Sequence, residues 1–170
     1  PWCLPGYYDY LEPPMKKDEK MELNFTFTIE EIRDVDDEHE TIQIEIYLER
    51  QWKDERIQIN PKNPHWSTTG KLPLSLDILN HIWKPLIKIQ NLVDFKKHKV
   101  IEDLAGLSIN KDKIIKHSIQ ALVTLSCAMD FKTFPFDHHS CNFQIRSNSD
   151  KKKLYFRASV EDLVTLLLQL

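Results

Sequence analysis

Glycine is scarce in this chain, with three residues among 170. Loops that cradle phosphate groups depend on closely spaced glycines, and neither GxGxxG nor GxxxxGK followed by Ser or Thr occurs in the sequence. We therefore do not expect a nucleotide-binding enzyme. No Ser/His/Asp or Cys/His arrangement stands in a supporting motif either, so the sequence predicts no enzyme and no cofactor.

An excess of positive charge and a long apolar run are also missing. The formal net charge is −3 and the pI is near 6.2, so the chain lacks the basic character of nucleic-acid-binding proteins. The most apolar run, from Leu163 to Leu170, has eight residues, whereas a transmembrane helix needs about 20. The chain starts at Pro1 without an initiator Met or a charged leader, as a mature protein does. Any membrane-spanning part is expected outside this chain.

Three cysteines leave an odd count: Cys3, Cys127 and Cys141. Counting alone leaves reduced thiols and a disulfide equally open. The triplet that begins at Asn24 is a glycosylation acceptor sequence and points weakly to secretion. Cys3 is left over, as a free thiol or as the partner of a group outside the chain.

Apolar and polar residues alternate with a period of two along much of the chain. Such alternation runs from Met21 to Ile29 and from Ile42 to Leu48, with an acidic turn over 34–40 between them, which predicts a long antiparallel hairpin. Further strands are predicted at 100–104, 113–115, 118–126, 142–145 and 154–160. The sequence therefore predicts an all-β, immunoglobulin-like sandwich of about ten antiparallel strands over residues 21–170. An irregular or helical N-terminal segment over residues 1–20 precedes it.

The segment between Cys127 and Cys141 is the most informative part of the sequence. Thirteen residues separate the two cysteines and include Phe134-Pro135, a rigid apolar tip that the loop cannot bury within itself. Closing a loop of about 15 residues with a disulfide removes roughly 3 kcal/mol of unfolded-state entropy. From spacing alone, an ordinary structural disulfide across a hairpin remains the simpler interpretation.

The residues inside this loop resemble those of the Cys-loop receptors, the pentameric ligand-gated ion channels, and the run from Leu125 to Asp130 is most similar to their anion-selective and invertebrate branch. Three other segments resemble the family in the same order. They are the acidic turn, the Trp-x-Asp-x-Arg motif of Trp52, Asp54 and Arg56, and the Trp-x-Pro motif of Trp83 and Pro85. The resemblance implies a Cys127–Cys141 disulfide and mainly structural roles for these motif residues. It also implies an extracellular domain at the plasma membrane.

In that family, five subunits form a homo- or hetero-pentamer that binds a small-molecule agonist between neighbours. The resemblance places Tyr47, Glu49 and Ser118 on the complementary side of such a site. On the principal side, the aromatic positions fall at Gln90 and Asn148, so the chain lacks the usual aromatic box there. Glu49 stands where the glycine and GABA receptors have an Arg, so the sequence does not name the agonist.

The resemblance also implies a coupling surface that faces a transmembrane pore domain. Its residues are in the acidic turn (Asp36, Asp37, Glu38) and at the loop tip (Phe134, Pro135, Phe136, Asp137). A solvated hairpin turn is the simpler interpretation of the acidic run. A secreted pentameric binding protein without a channel is the alternative function, although the apolar loop tip favours the channel. Adjacent His138 and His139 point to opposite faces of a strand, so we expect no metal site.

Overall fold

A computed structural model of the protein describes residues 4–14, 21–97, 105–129, 132, 138–141, 145–147, 154–159 and 166–169. Strand β1 (Met21–Asp36) and strand β2 (Thr41–Lys53) form the predicted hairpin. Two register irregularities interrupt their pairing, between Ile29 and Glu31 and between Ile32 and Asp34. The period-two sequence produces these strands because each places apolar side chains on one face, where they can be buried together.

Nine further strands and one 3₁₀ helix lie within the described residues. They are β3 (Lys71–Pro73), the helix Leu76–Asn80, β4 (Ile87–Ile89), β5 (Leu92–Lys97), β6 (Ala105–Asn110), β7 (Ile114–Ser126), β8 (His138–Cys141), β9 (Ile145–Ser147), β10 (Leu154–Ser159) and β11 (Leu166–Gln169). The main sheet has the order β10-β1-β2-β7-β6-β3, and β5 also pairs with β7. Two short pairs, β11-β8 and β4-β9, stand apart from it.

The all-β sandwich predicted from the sequence is confirmed. The prediction that all strands are antiparallel is wrong for one pair, because β10 runs parallel to β1. Parallel neighbours need a long crossover connection, and the chain between these two strands supplies one. The strand predicted at 100–104 lies outside the described residues. Of the strand predicted at 142–145, only Ile145 is described, and it begins β9.

The core is built from the inward faces of β1, β2 and β7. Strand β7 pairs with β2 at thirteen consecutive positions, so their side chains alternate in step between the core and the opposite face. The inward positions of these three strands are occupied almost entirely by buried apolar residues: Met21, Leu23, Phe25, Phe27, Ile42, Ile44, Ile46, Leu48, Trp52, Ile115, Ala121, Val123 and Leu125. Two inward positions are polar, Arg50 and its register partner His117.

A buried polar cluster joins the N-terminal segment to the sandwich. The Tyr8 hydroxyl donates to Asp54 Oδ2 (2.6 Å) and accepts from the Trp83 backbone N–H (3.0 Å). The Asp54 carboxylate is fully buried and also accepts from Arg56 Nε and Nη2, each at 2.9 Å. Arg56 Nη1 in turn donates to the carbonyls of Asp9 and Glu12. Asp54, Arg56 and Trp83 of the two Trp motifs are thus linked to Tyr8 by hydrogen bonds.

Candidate ligand-binding face

The face of β2 and β7 that points away from the core brings together the three residues predicted for the complementary side. Glu49 is the register partner of Ser118, and Tyr47 lies two residues along β2, opposite Gln120. Because side chains on one strand face recur every second residue, Tyr47, Glu49 and Ser118 form one contiguous patch. We call this patch, with its polar neighbours Gln51 and Lys116, the outer patch.

Glu49 is the centre of the outer patch. It is 7% exposed, and its carboxylate accepts hydrogen bonds from Tyr47 Oη (3.1 Å) and Gln51 Nε2 (2.6 Å). Lys116 forms an ion pair with the same carboxylate. Burial alone would raise the pKa of Glu49, but the hydrogen bonds from Lys116 and Gln51 outweigh it, and the pKa lies below its ordinary value. Glu49 is therefore an ionised carboxylate beside an aromatic ring.

A second group of charges continues the patch along the same face. Glu45 is 8% exposed and binds Arg33, whose Nε lies 3.0 Å from Glu45 Oε2. Gln120 donates to Glu45 (3.2 Å) and to Glu30. Arg33 also forms an ion pair with Glu31 at 2.9 Å. With Glu49 and Lys116 included, these linked side chains comprise four carboxylates (Glu30, Glu31, Glu45, Glu49) and two cations (Arg33, Lys116), a net negative set that we call the acidic group.

Gly106 allows β6 to approach the outer patch closely. It is the register partner of Ser118, and a Cβ atom added at Gly106 would lie 2.9 Å from Ser118 Oγ. That distance is shorter than real Cβ contacts, so any larger residue would displace the Ser118 hydroxyl. Ser118 was predicted from the sequence, whereas Gly106, Gln51 and Lys116 were not. Only the pairing of β2, β7 and β6 brings these residues together around Glu49 and Ser118.

The residues predicted for the principal side do not join the outer patch. Gln90 is exposed in the turn between β4 and β5 and lines a cleft on the inward side of the main sheet. Asn148 lies outside the described residues. Asn24, the predicted glycosylation site, is exposed on β1 opposite Gln51, and its modification stays a prediction.

The acidic turn and the start of the Cys loop meet at one end of the β2–β7 pair. Cys127 N donates to the carbonyl of Glu40 (2.8 Å), and Cys127 is bonded to Cys141 across a Cα–Cα distance of 5.1 Å. Asp36 accepts from the backbone N–H of His39 (2.9 Å) and contacts its Nδ1 (2.8 Å), and these bonds lower the pKa of Asp36. Asp37 and Glu38 are exposed at the turn. The loop-tip residues Phe134, Pro135, Phe136 and Asp137 lie outside the described residues.

The chain matches the family of neurotransmitter-gated ion-channel ligand binding domains over residues 3–162. It belongs to this family. The predicted resemblance to Cys-loop receptors is confirmed at this level. In the part of the chain that the structure describes, no helix is long and apolar enough to cross a membrane, and no three His, Cys, Asp or Glu side chains gather as metal ligands.

One curated relative is the neuronal acetylcholine receptor subunit alpha-6 of Mus musculus. It is 26% identical over 143 residues, which are 83% of this chain and 27% of the relative. The chain thus spans about a quarter of the length of that relative. A relative named for acetylcholine gives no support to the predicted likeness to the anion-selective and invertebrate branch.

Proposed function

We propose that this chain is the extracellular ligand-binding domain of a plasma-membrane channel subunit that works as a homo- or hetero-pentamer. In this proposal, Tyr47, Glu49 and Ser118 form the complementary side of an agonist site between neighbouring subunits. The observation that carries the proposal is the outer patch itself, in a chain of the neurotransmitter-gated family. An aromatic ring on the polar face of a strand has no packing role in the core, and here it borders an ionised carboxylate.

The chemistry of the outer patch and of the acidic group that adjoins it favours a cationic agonist. An organic ammonium gains about 0.5–2 kcal/mol from a well-placed aromatic face. Four carboxylates against two cationic side chains add an attraction for positive charge and oppose a ligand carboxylate. The acetylcholine named in the alpha-6 relative is an ammonium compound and fits this charge pattern.

The neighbouring subunit would supply the aromatic residues that this chain lacks. The proposed principal-side positions, Gln90 and Asn148, have no ring, and Gln90 lies apart from the outer patch. This supports a hetero-pentamer in which the chain contributes its complementary face. The proposed site contains no cofactor, metal or nucleic acid.

Strands β2 and β7 offer a direct mechanical route from the outer patch to the proposed coupling surface. Tyr47 lies six residues from Thr41, or about 20 Å along an extended strand. Every position between them is paired with β7, and the Cys127–Glu40 hydrogen bond closes the end of this ladder. We propose that agonist binding shifts the ladder and moves the acidic turn (Asp36, Asp37, Glu38) and the loop tip (Phe134–Asp137) against the pore domain.

Currents evoked by acetylcholine test the proposal in cells that express the full-length subunit with related subunits. Replacing Tyr47 with Leu removes the ring and keeps an apolar side chain, so we expect the half-maximal concentration to rise about threefold to thirtyfold. Replacing Glu49 with Gln should also raise the half-maximal concentration of acetylcholine. Tyr10→Leu is the matched control, because Tyr10 is 54% exposed in the N-terminal segment.

Unchanged half-maximal concentrations in both outer-patch variants would contradict the proposed site. A response to an anionic amino acid and none to acetylcholine would contradict the cationic agonist. The assembly is tested separately by native mass spectrometry of the purified protein with its related subunits. A product that stays monomeric at high concentration would contradict the pentamer.

A further inference from the structure

A cleft of about 490 Å³ lies on the side of β2 and β7 opposite to the outer patch. Leu48 and Arg50 of β2 line one wall, and they alternate along the strand with Tyr47 and Glu49. His117 and Ile119 continue that wall on β7, and residues of β4 and β5 close the other sides. This volume falls in the range of small-molecule sites in proteins, which is about 300–1,000 Å³.

The charged side chains described in this cleft, apart from His117, are all basic. Arg50, Lys88 and Lys97 line it, and none of the lining side chains within the described residues is acidic. This contrasts with the net negative acidic group on the opposite face of the sheet. The remaining walls are largely apolar and include Leu48, Ile87, Phe95 and Ile119. The cleft therefore combines a positive group with an apolar lining.

Arg50 is a half-buried cation whose partners are all neutral. Its Nε donates to His117 Nδ1 (3.0 Å), its Nη1 donates to the Pro85 carbonyl (2.9 Å), and its guanidinium lies 5.8 Å from the centre of the Trp52 ring. The Nη2 donors have no acceptor among the described residues. A guanidinium removed from water without a carboxylate is costly, and a bound carboxylate would supply the missing counter-charge.

The hydrogen bond from Arg50 determines which ring nitrogen of His117 can act as a donor. Because Nδ1 accepts from Arg50, a neutral imidazole must have its proton on Nε2. Burial, together with the charges of Arg50, Lys97 and Lys84, lowers the pKa of His117 to about 4, so the ring is neutral near pH 7. The polar end of the cleft thus presents hydrogen-bond donors and positive charge.

We propose that this cleft binds a small organic carboxylate with an apolar body, held by Arg50 and His117 at its charged end. An Arg guanidinium pairs well with a carboxylate because two of its N–H groups can bond both oxygens. The apolar walls would cover the hydrocarbon part of the ligand. The site does not depend on the agonist function, because it lies on the inward face and uses none of the outer-patch side chains.

Octanoate is the probe, and isothermal titration calorimetry of the purified protein is the measurement. Octanol and octylamine have the same chain without the carboxylate, and inorganic phosphate has negative charge without the chain. We expect octanoate to bind at least ten times more tightly than any of the three. Arg50→Gln should weaken octanoate binding by about tenfold to a hundredfold, as loss of a charged hydrogen-bond partner does.

Two sets of control variants keep the result interpretable. Arg33→Gln removes an arginine from the opposite face, and Glu49→Gln alters the outer patch, so neither should change octanoate binding. Lys88 and Lys97 are exposed, and their joint replacement with Gln should weaken octanoate at least threefold without disturbing the fold. If Arg50→Gln does not fold, octanoate binding by this double variant tests whether the positive charge of the cleft recognises the carboxylate.

Three results would overturn the proposal. The first is octanol binding as tightly as octanoate, which would indicate an apolar cleft without anion recognition. The second is phosphate binding as tightly as octanoate, which would indicate anion binding without a role for the apolar walls. The third is full octanoate affinity in a folded Arg50→Gln protein, or in the Lys88 and Lys97 double variant.

Discussion

Removing one oxygen atom from Tyr8 should destabilise the whole sandwich. In Tyr8→Phe, Asp54 loses the shortest hydrogen bond to its fully buried carboxylate, and the Trp83 backbone N–H loses its acceptor. A hydrogen bond to a charged group contributes about 1.5–3 kcal/mol, and an orphaned buried donor costs about 1–3 kcal/mol. Arg56 Nη2 also loses the Tyr8 hydroxyl (3.2 Å), but Arg56 keeps its bonds to the Asp54 carboxylate and its stacking on the new ring, which limits the total loss. We expect the free energy of unfolding to fall by about 2–4 kcal/mol.

Urea unfolding followed by tryptophan fluorescence measures this loss. Tyr10→Phe is the matched control, since Tyr10 is 54% exposed, and it should change stability by less than about 0.5 kcal/mol. The pKa of Tyr8 is raised by its burial and by the hydrogen bond to Asp54, so the phenol stays protonated and the deficit should be constant from about pH 6 to 9. If Tyr8→Phe unfolds at the wild-type urea concentration with an unchanged slope, the N-terminal segment is not anchored as described.

Three further perturbations test other parts of the fold. The pKa of His117 is about 4 in the folded protein, against 6.5 for an unperturbed histidine, so the unfolded state binds more protons between these values. Stability should therefore fall by about 2 kcal/mol from pH 7 to pH 5, and an equal fall in His117→Gln would contradict this assignment. Replacing both Cys127 and Cys141 with Ala should cost about 3 kcal/mol in chemical unfolding, because it frees a loop with a sequence separation of 14. An unchanged unfolding midpoint in this double Ala variant would show that the disulfide does not stabilise the fold. Gly70→Ala should cost about 1–2 kcal/mol, since its φ is +72°, whereas Gly6→Ala should be nearly neutral in the same assay.

The candidate site was only partly predictable. Tyr47 and Glu49 lie two residues apart on one strand, so the period of two is enough to place them on one face. Ser118 joined them only through resemblance, because its position opposite Glu49 depends on the register between β2 and β7. Lys116 was missed for the same reason, whereas Gly106 was missed because no strand was predicted over Ala105–Asn110. A contact between strands that are distant in the chain leaves no local pattern in either strand.

Arg50 illustrates a different kind of failure. The alternation of β2 correctly puts it on the inward face, where a charged side chain is not expected. The sequence does not indicate that Arg50 would form hydrogen bonds with a histidine and a backbone carbonyl there, or that it would line an open cleft. Tyr8 was likewise treated as part of an irregular segment, because its role depends on Asp54 and Trp83, which are 46 and 75 residues away.

The sequence by itself determined the long strands β1, β2 and β7, their inward faces and the family, because these depend on a short period and on motifs of adjacent residues. Tertiary structure decided the rest. Strand pairing placed a net negative group of side chains and a positive cleft on opposite faces of the main sheet. Burial then decided which charges need a partner, because the cost of removing a charge from water depends on every neighbour that surrounds it.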